Sequence, residues 1–446
     1  MIQFLIRVVR KLAHIGFLIF SRTAHFFARL EDKALRILLG TDYSIKARGD
    51  ISVEEKIFSS LKYITPLNPS LPAVGRPAKV SLLLPSLVSR GFYGGVATAL
   101  IFAAKLAGHK EMPLRIIQTS EPGNGDGLSE FFKANGININ RADVEIVDIS
   151  GRRFNFYGYL EMRPDDIFIA SAWWDAHLLE KLPLTHRFIY MIQDYEPIFY
   201  PNGDMSVLAE RTYHSKRFIP VLNTKLMHEF MSQEGYDYIR DNGVWFEPAV
   251  SRVGTSASKP ARGSKKRLFL YGRPNVERNL FFMALEAINA CFVDSKLLAS
   301  EWDIFMAGQD NIPDIRLSNG SLIKNLGKMT MDDYVEFSKT VDLAVSPMMA
   351  PHPNYPTLEF ASIGAAVVTT RWKTKQSLER YSKNIVMCDL SAESMAEAIA
   401  KAASLSLEER KANTEKQCIG QDWDEAFKTV LPKIDKALEA QVGSDS

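Results

Sequence analysis

The sequence predicts an α/β protein: two doubly wound parallel-sheet domains facing a central cleft, behind a basic amphipathic helical extension. Three observations carry this. From Lys79 onward, short β-branched apolar runs alternate with helical stretches. The runs are apolar at successive positions, as strands buried on both faces are, which is the state of a parallel sheet covered by helices. A small, basic, Ser/Gly-rich break at 251–265 then divides the alternation into two blocks. At roughly 100–200 residues per domain, 446 residues allow two to four units. With 46% hydrophobic and 24% charged residues, the chain is not disordered, collagenous or disulfide-stapled.

In chain order, the run Pro66, Pro69, Pro72, Gly75 and Pro77 reads as a linker. Predicted strand Val80–Leu84 leads into helix Val96–Leu106. Strands Leu114–Gln118, Val144–Ile149, Ile167–Ser171, Phe188–Gln193 and Phe218–Leu222 follow, with helical text between them. After the break come strand Leu268–Tyr271, helix Arg278–Ala290, strands Asp303–Ala307 and Leu322–Asn325, helix Met331–Lys339 and strand Leu343–Ser346. Helix Thr357–Ile363, strands Ala366–Thr369 and Ile385–Met387, and a helical tail from Ser391 complete the pattern. The expected domains are 76–250 and 266–418, with 1–75 in front and the tail 419–446 behind. Open α/β sheets bind ligands beyond their strand carboxyl ends, so the cleft between the domains is the expected active site.

The net charge of +2 speaks against nucleic-acid binding but hides an asymmetry. Residues 1–48 hold nine Lys/Arg against three Asp/Glu, whereas the remainder holds 45 basic and 49 acidic groups. Ile2, Leu5, Ile6, Val9, Leu12, Ala13 and Gly16 recur at helical spacing, with Arg7, Arg10, Lys11 and His14 on the other side. The longest charge-free run of the segment Met1–Leu39, Leu12–Ser21, has ten residues, short of the roughly 20 that span a bilayer. No A-x-A-like cleavage site follows it. A basic amphipathic helix lying on an anionic membrane surface is the expectation, and packing on the protein or a partner is the alternative. Cys291, Cys388 and Cys418 form neither a disulfide framework nor a zinc spacing, which suits a reducing cytoplasm.

Several constellations can carry chemistry. Tyr93-Gly94-Gly95 opens a helix after the first strand, where free amides suit a diphosphate; steric need for glycine in a tight turn is the competing explanation. Arg273, in Tyr271-Gly272-Arg273-Pro274, ends a strand of the second block and is placed to grip a phosphate, as is Lys328 in Leu326-Gly327-Lys328-Met329. The competing explanations are a surface ion pair with a neighbouring acid for Arg273 and an ordinary exposed lysine for Lys328. In Pro351-His352-Pro353-Asn354-Tyr355-Pro356-Thr357-Leu358-Glu359, Pro356 suits a first helical position. Glu359 then falls in the first turn, facing ribose hydroxyls. His352 reads first as a loop histidine, with general base or ligand as alternatives; Asn354, Tyr355 and Thr357 join it as donor-side candidates.

Gln193-Asp194-Tyr195-Glu196-Pro197 and Ser171-Ala172-Trp173-Trp174-Asp175 follow strand ends of the first block. Gln193, Asp194, Tyr195, Trp173 and Trp174 are therefore acceptor-side candidates, rings against apolar sugar faces and oxygens for hydroxyls. Asp194 and Glu196 are candidates for orienting the reacting hydroxyl. Asp422-Trp423-Asp424 reads as helix surface rather than a metal site, and no metal or cofactor is expected.

Together these stretches resemble glycosyltransferases of the GT-B fold, family 4, in particular the WsaF-like bacterial rhamnosyltransferases of surface and S-layer glycans. Val80–Pro85 with Gly94–Ala99, Gln193–Pro201, Leu208–Tyr213, Tyr271–Pro274 and Pro351–Glu359 carry the resemblance, which spans roughly 79–430. It implies that Arg273 and Lys328 hold the donor diphosphate, Glu359 binds the nucleotide sugar and the first domain binds the acceptor. It also implies retention of configuration. One departure stands out: most of that family carry Glu-x7-Glu, and the first glutamate's position is Pro351 here. The expected activity is transfer of a sugar, L-rhamnose from dTDP-L-rhamnose, to a growing surface glycan at the cytoplasmic face of the membrane. Alternatives are a hexosyltransferase using a UDP- or GDP-sugar and a non-catalytic membrane-bound scaffold of a glycan-assembly complex.

Overall fold

The computed structural model describes residues 52–72, 75–88, 92–153, 159–250 and 265–439. The expected amphipathic segment and nearly all of the 251–265 break lie outside them. The chain divides into two compact units, 1–60 and 61–446. The described part of the first is dominated by the helix Val53–Ser60. The second holds both sheets.

Seven parallel strands form the first sheet. In spatial order they are Glu145–Asp148 (β4), Leu114–Gln118 (β3), Val80–Leu84 (β2), Ile167–Ala170 (β6), Phe188–Ile192 (β7), Phe218–Asn223 (β8) and Val244–Phe246 (β9). The second sheet runs Ile315–Arg316 (β12), Leu322–Asn325 (β13), Trp302–Ala307 (β11), Lys266–Tyr271 (β10), Leu343–Val345 (β14), Ala366–Thr370 (β15) and Ile385–Cys388 (β16). Only the β12–β13 pair is antiparallel.

The apolar runs are explained by two-sided burial. Leu82 and Leu84 face one core of the first domain and Leu83 the other. In the second domain, Leu268 and Leu270 face one core and Phe269 the other. Alternate side chains point to opposite faces of a strand, and helices cover both faces, so most positions are apolar, and a buried polar residue such as Arg115 is paired, here with Ser81 and Asp166.

Three regions depart from expectation. The presumed linker is partly built into the first domain: Leu67 is in its core, and Asn68–Ser70 (β1) pairs with Tyr159–Glu161 (β5). Edge strands β9 and β12 carry too few residues to register as apolar runs. The tail is not a separate appendage. Trp423, Phe427, Val430 and Ile434 complete the core of the first domain, with Phe427 edge-on to Phe102 at 5.4 Å. Lys105 pairs with Asp424 at 2.6 Å and Lys110 with Asp435 at 2.9 Å, fixing the tail helices to the helix Gly94–His109. No helix of the described residues is long and apolar enough to cross a membrane.

Candidate active site

Strand order reverses between β2 and β6 in one sheet and between β10 and β14 in the other. Loops leaving the carboxyl ends of both sheets line one cavity of about 640 Å³, within the range of small-molecule sites. The first domain contributes Tyr93, Gly94, Gly95, Ser171, Trp174, Gln193, Asp194 and Glu196; the second contributes Tyr271, Arg273, Arg278, Lys328, His352, Asn354, Tyr355 and Glu359.

Gly94 and Gly95 begin the helix Gly94–His109, whose N-cap Tyr93 supplies no side-chain cap, so the first-turn amides are left for a ligand at the positive end of the helix. The two glycines have different reasons. Gly94 has φ +50°, a left-handed conformation, whereas a Cβ on Gly95 would lie 3.2 Å from the Gln193 amide. Gln193 Nε2 donates to the Gly95 carbonyl at 3.0 Å, so Gln193 fixes the loop from within the cleft wall.

Arg273 lies across the end of β11. Gly308 there has φ +129°, and a Cβ on it would come within 2.9 Å of Arg273 Cγ. Among the described residues neither Arg273 nor Lys328 has a carboxylate at ion-pair distance. Arg273 Nη1 donates only to Tyr271 Oη, at 3.4 Å. The Lys328 backbone amide donates to Asp310 Oδ1 at 2.8 Å, and its ammonium lies 5.8 Å from the centre of the Tyr93 ring. Tyr93 Oη in turn donates to the Met329 carbonyl at 3.0 Å, joining the domains. Two cations on one wall without counter-ions face the uncapped helix of the other domain.

The Pro-rich loop of the second domain opens the helix Tyr355–Ser362, with Pro356 in its second position. Glu359 is therefore in the second turn, not the first as the sequence suggested; it accepts from Tyr334 Oη at 2.7 Å and still borders the cleft. Thr357 is not a donor contact. It is fully buried, with its hydroxyl directed at the Ser346 carbonyl. Asn354 borders the cleft but uses its amide on Ser346 Oγ at 2.8 Å. Tyr355 joins the domains: its hydroxyl meets Thr98 Oγ1 and accepts from Asn223 Nδ2 at 2.9 Å. His352 is 4% exposed, and burial, with Lys375 and Arg278 nearby, lowers its pKa to about 3. Its Nδ1 accepts from the Asn354 amide at 3.0 Å.

The Gln193–Glu196 turn divides its side chains. Asp194 reaches the cleft, where its Oδ2 lies 3.4 Å from Arg278 Nε and its Oδ1 accepts from the Tyr195 amide at 2.9 Å. Burial raises its pKa, and the Arg278 charge opposes this. Tyr195 points the other way, into a cluster with Phe230 and Tyr213, and is no acceptor contact. Glu196 borders the cavity, but both of its oxygens are engaged within the first domain: Oε2 accepts the Trp173 amide at 3.1 Å and Oε1 accepts from Tyr190 Oη at 3.2 Å. Burial raises its pKa to about 8.

The tandem tryptophans divide likewise. Trp173 is fully buried, with Nε1 donating to Tyr200 Oη at 2.9 Å, and belongs to the core. Trp174 borders the cleft and stacks near Tyr63 at 5.3 Å between ring centres. Asp422 caps the helix Trp423–Phe427, as expected of a helix-surface acid.

Sequence reasoning missed Arg278 and Lys375. Arg278 was legible as a cation at a helix start beyond β10. It spans the cleft to Asp194, with its guanidinium carbon 3.9 Å from the centre of the Phe199 ring. Lys375 left no signal: it lies in a polar loop, yet it is fully buried.

Comparison with known proteins agrees with this architecture. Residues 79–225 match the family described as "WsaF, N-terminal domain" and residues 266–400 "WsaF, C-terminal domain". The chain is 31% identical over 225 residues to the "O-antigen biosynthesis protein RfbC" of Myxococcus xanthus, a match covering 50% of this chain and 17% of that relative. Among solved structures, similar folds include Anabaena Alr3699/HepE in complex with UDP-glucose (TM-score 0.55, 12% identity, 81% of this chain and 100% of that one). Another is WaaG, "a glycosyltransferase involved in lipopolysaccharide biosynthesis" (TM-score 0.53, 15% identity, 79% and 99%). A third is a glycosyltransferase from Rickettsia africae (TM-score 0.51, 13% identity, 82% and 100%). With both domain matches in order over the two sheets, the chain belongs to the WsaF family, and its fold is that of the GT-B glycosyltransferases.

Proposed function

We propose that this protein transfers a sugar from a nucleotide donor, L-rhamnose from dTDP-L-rhamnose, to a hydroxyl of a growing cell-surface polysaccharide. The observation that carries the proposal is the pairing of Arg273 and Lys328, two cations with no ion-pair partner among the described residues, with the uncapped helix start at Gly94 across one cavity. In the reaction the bond from the anomeric carbon to the β-phosphate oxygen breaks, a bond to the acceptor oxygen forms, and the proton of the acceptor hydroxyl passes to the departing diphosphate. Negative charge grows on the departing diphosphate. Fixed donors aimed at developing charge are the largest single contribution that many enzymes make to rate. Arg273, Lys328 and the helix-start amides fill that role here, a scheme that requires no metal or cofactor. Glu359 faces the nucleotide sugar, and Asp194, Gln193 and Trp174 face the acceptor. Retention of configuration follows from the family resemblance.

The WsaF match and the O-antigen relative support a surface-glycan product, and the rhamnose donor rests on the resemblance alone. A UDP-hexose is the second reading, favoured by the UDP-glucose complex of a protein with this fold. A non-catalytic scaffold is the third. We place the protein at the cytoplasmic face of the membrane, held by the basic segment 1–48, where lipid-linked acceptors are within reach. Thermal-shift titration with dTDP, UDP and GDP tests the donor: dTDP should stabilise the wild type most and Arg273→Ala least. Stabilisation by UDP or GDP alone would transfer the proposal to the second reading, and none by any nucleotide would favour a scaffold.

A further inference from the structure

His352, in the Pro-rich loop, uses only half of its side-chain hydrogen-bonding capacity among the described residues. Its Nδ1 accepts the backbone amide of Asn354 at 3.0 Å. A nitrogen that accepts cannot also carry a proton, so the proton of the neutral ring is on Nε2. That Nε2 is buried and has no hydrogen-bond partner among the described residues, while the ring borders the cavity. A buried N–H without an acceptor costs stability of the same order as a lost hydrogen bond. Natural structures retain such groups where a ligand completes them.

The loop is held in this position from behind. Lys375 is fully buried, and its ammonium donates to the Met348 carbonyl at 2.9 Å and to the His352 carbonyl at 3.4 Å. The two carbonyls bracket the turn Met348–His352, so a single cation fixes both of its ends. The same charge opposes protonation of the imidazole, as does Arg278. Burial in turn lowers the pKa of Lys375 to about 7, and the Asp194 carboxylate across the cleft counteracts the loss of charge.

We infer that His352 is a neutral hydrogen-bond donor, fixed as the Nε2–H tautomer, for a hydroxyl oxygen of the transferred sugar, and that Lys375 is the residue that positions it. This rests on the proposal that a nucleotide sugar occupies the cleft. A sugar oxygen is favoured over a phosphate oxygen by the surroundings. The charged neighbours of His352 are Lys375 and Arg278, the latter paired with Asp194, whereas Arg273 and Lys328 lie with Tyr271 and Tyr93. A neutral donor also suits an uncharged hydroxyl. It places a specific polar contact immediately after Pro351, the position at which the first glutamate of the resembled family is missing. General-base action by His352 is incompatible with this tautomer, because the nitrogen left without a partner carries the proton.

The test is calorimetric titration of the full chain with dTDP and dTDP-L-rhamnose, and in parallel with UDP and UDP-glucose; the pair that binds the wild type is carried forward. His352→Leu should weaken the nucleotide sugar about tenfold and the parent nucleotide less than about twofold. His352→Gln, whose amide nitrogen replaces Nε2–H, should restore most of the loss. Lys375→Met should reproduce the selective loss without a ligand contact of its own, and Lys375→Arg should recover part of it. Equal weakening of both ligands, or none, would overturn the inference. So would failure of Gln to rescue a folded His352→Leu protein. Nitrogen-15 spectra of histidine-labelled protein give an independent reading at pH 7: the resonance lost in His352→Gln should belong to an Nε2–H ring, and an Nδ1–H ring would contradict the assignment. If Arg273→Ala abolishes nucleotide binding while the His352 variants change nothing, the cleft proposal stands and this one fails. If no nucleotide binds the wild type, both fall.

Discussion

Arg278 reaches across the cleft to Asp194, Nε to Oδ2 at 3.4 Å, with its guanidinium carbon 3.9 Å from the centre of the Phe199 ring. The carboxylate belongs to the first domain and the cation to the second. Asp194 is 7% exposed, and its environment raises its pKa through burial, which the Arg278 charge opposes. The pair thus ties the two domains together through a carboxylate that borders the cleft. Arg278→Leu and Asp194→Asn should each lower kcat/KM about 10- to 100-fold, the scale of misplacement in an active site. The double variant should lose little more than the worse single one, because contacting residues are not additive. Strict additivity in steady-state kinetics would show that the two act separately.

The adjacent tryptophans have separate roles. Trp173 is fully buried and Trp174 is a wall of the cleft. Trp173→Ala should destabilise the fold by about 3–5 kcal/mol, read as a fall in denaturant midpoint. Trp174→Ala should leave that midpoint nearly unchanged and raise KM for the acceptor. The opposite pattern would reverse the two assignments.

Much of the fold was legible because two-sided burial gives strands such as Ile167–Ala170 and Phe188–Ile192 uninterrupted apolar text. The paired tryptophans show where legibility stopped. They open the helix Trp173–Leu179, where successive side chains point in different directions, and composition does not reveal which one faces the cleft. Asp194 and Tyr195 repeat the problem, as do Tyr355 and Thr357. The tail was legible as helix but not as part of the first domain, because the partner of Phe427 is Phe102, more than three hundred residues earlier. Lys375 was invisible for a different reason: its burial follows from the long-range placement of two carbonyls, not from local pattern.

Glu196 gives a pH signature. Burial raises its pKa from 4.5 to about 8, so the folded chain binds this proton more tightly than the unfolded chain. The associated stability is complete below pH 4.5 and is lost as pH rises through about 8. Asp175, raised to about 7 by burial, acts in the same direction. Glu196→Gln removes one titration and should retain transfer activity within a few-fold. Its melting temperature should therefore gain on that of the wild type between pH 6 and 9. Parallel melting curves across that range would contradict a buried, protonated Glu196.

The basic segment makes a prediction independent of the cleft. Deleting residues 1–48, which hold nine Lys/Arg against three Asp/Glu, should move the protein from membrane to soluble fractions. High salt should do the same in part to the full chain. Unchanged fractionation after deletion would remove the membrane proposal and leave the transferase proposal intact.

The central claim is sugar transfer in a cleft whose cations hold the leaving diphosphate. Its most direct test is turnover of dTDP-L-rhamnose with a lipid-linked glycan acceptor, comparing wild type with Arg273→Ala. The wild type should give a glycosylated product, and the variant should turn over ~100-fold more slowly. A variant that turns over at the wild-type rate would contradict it.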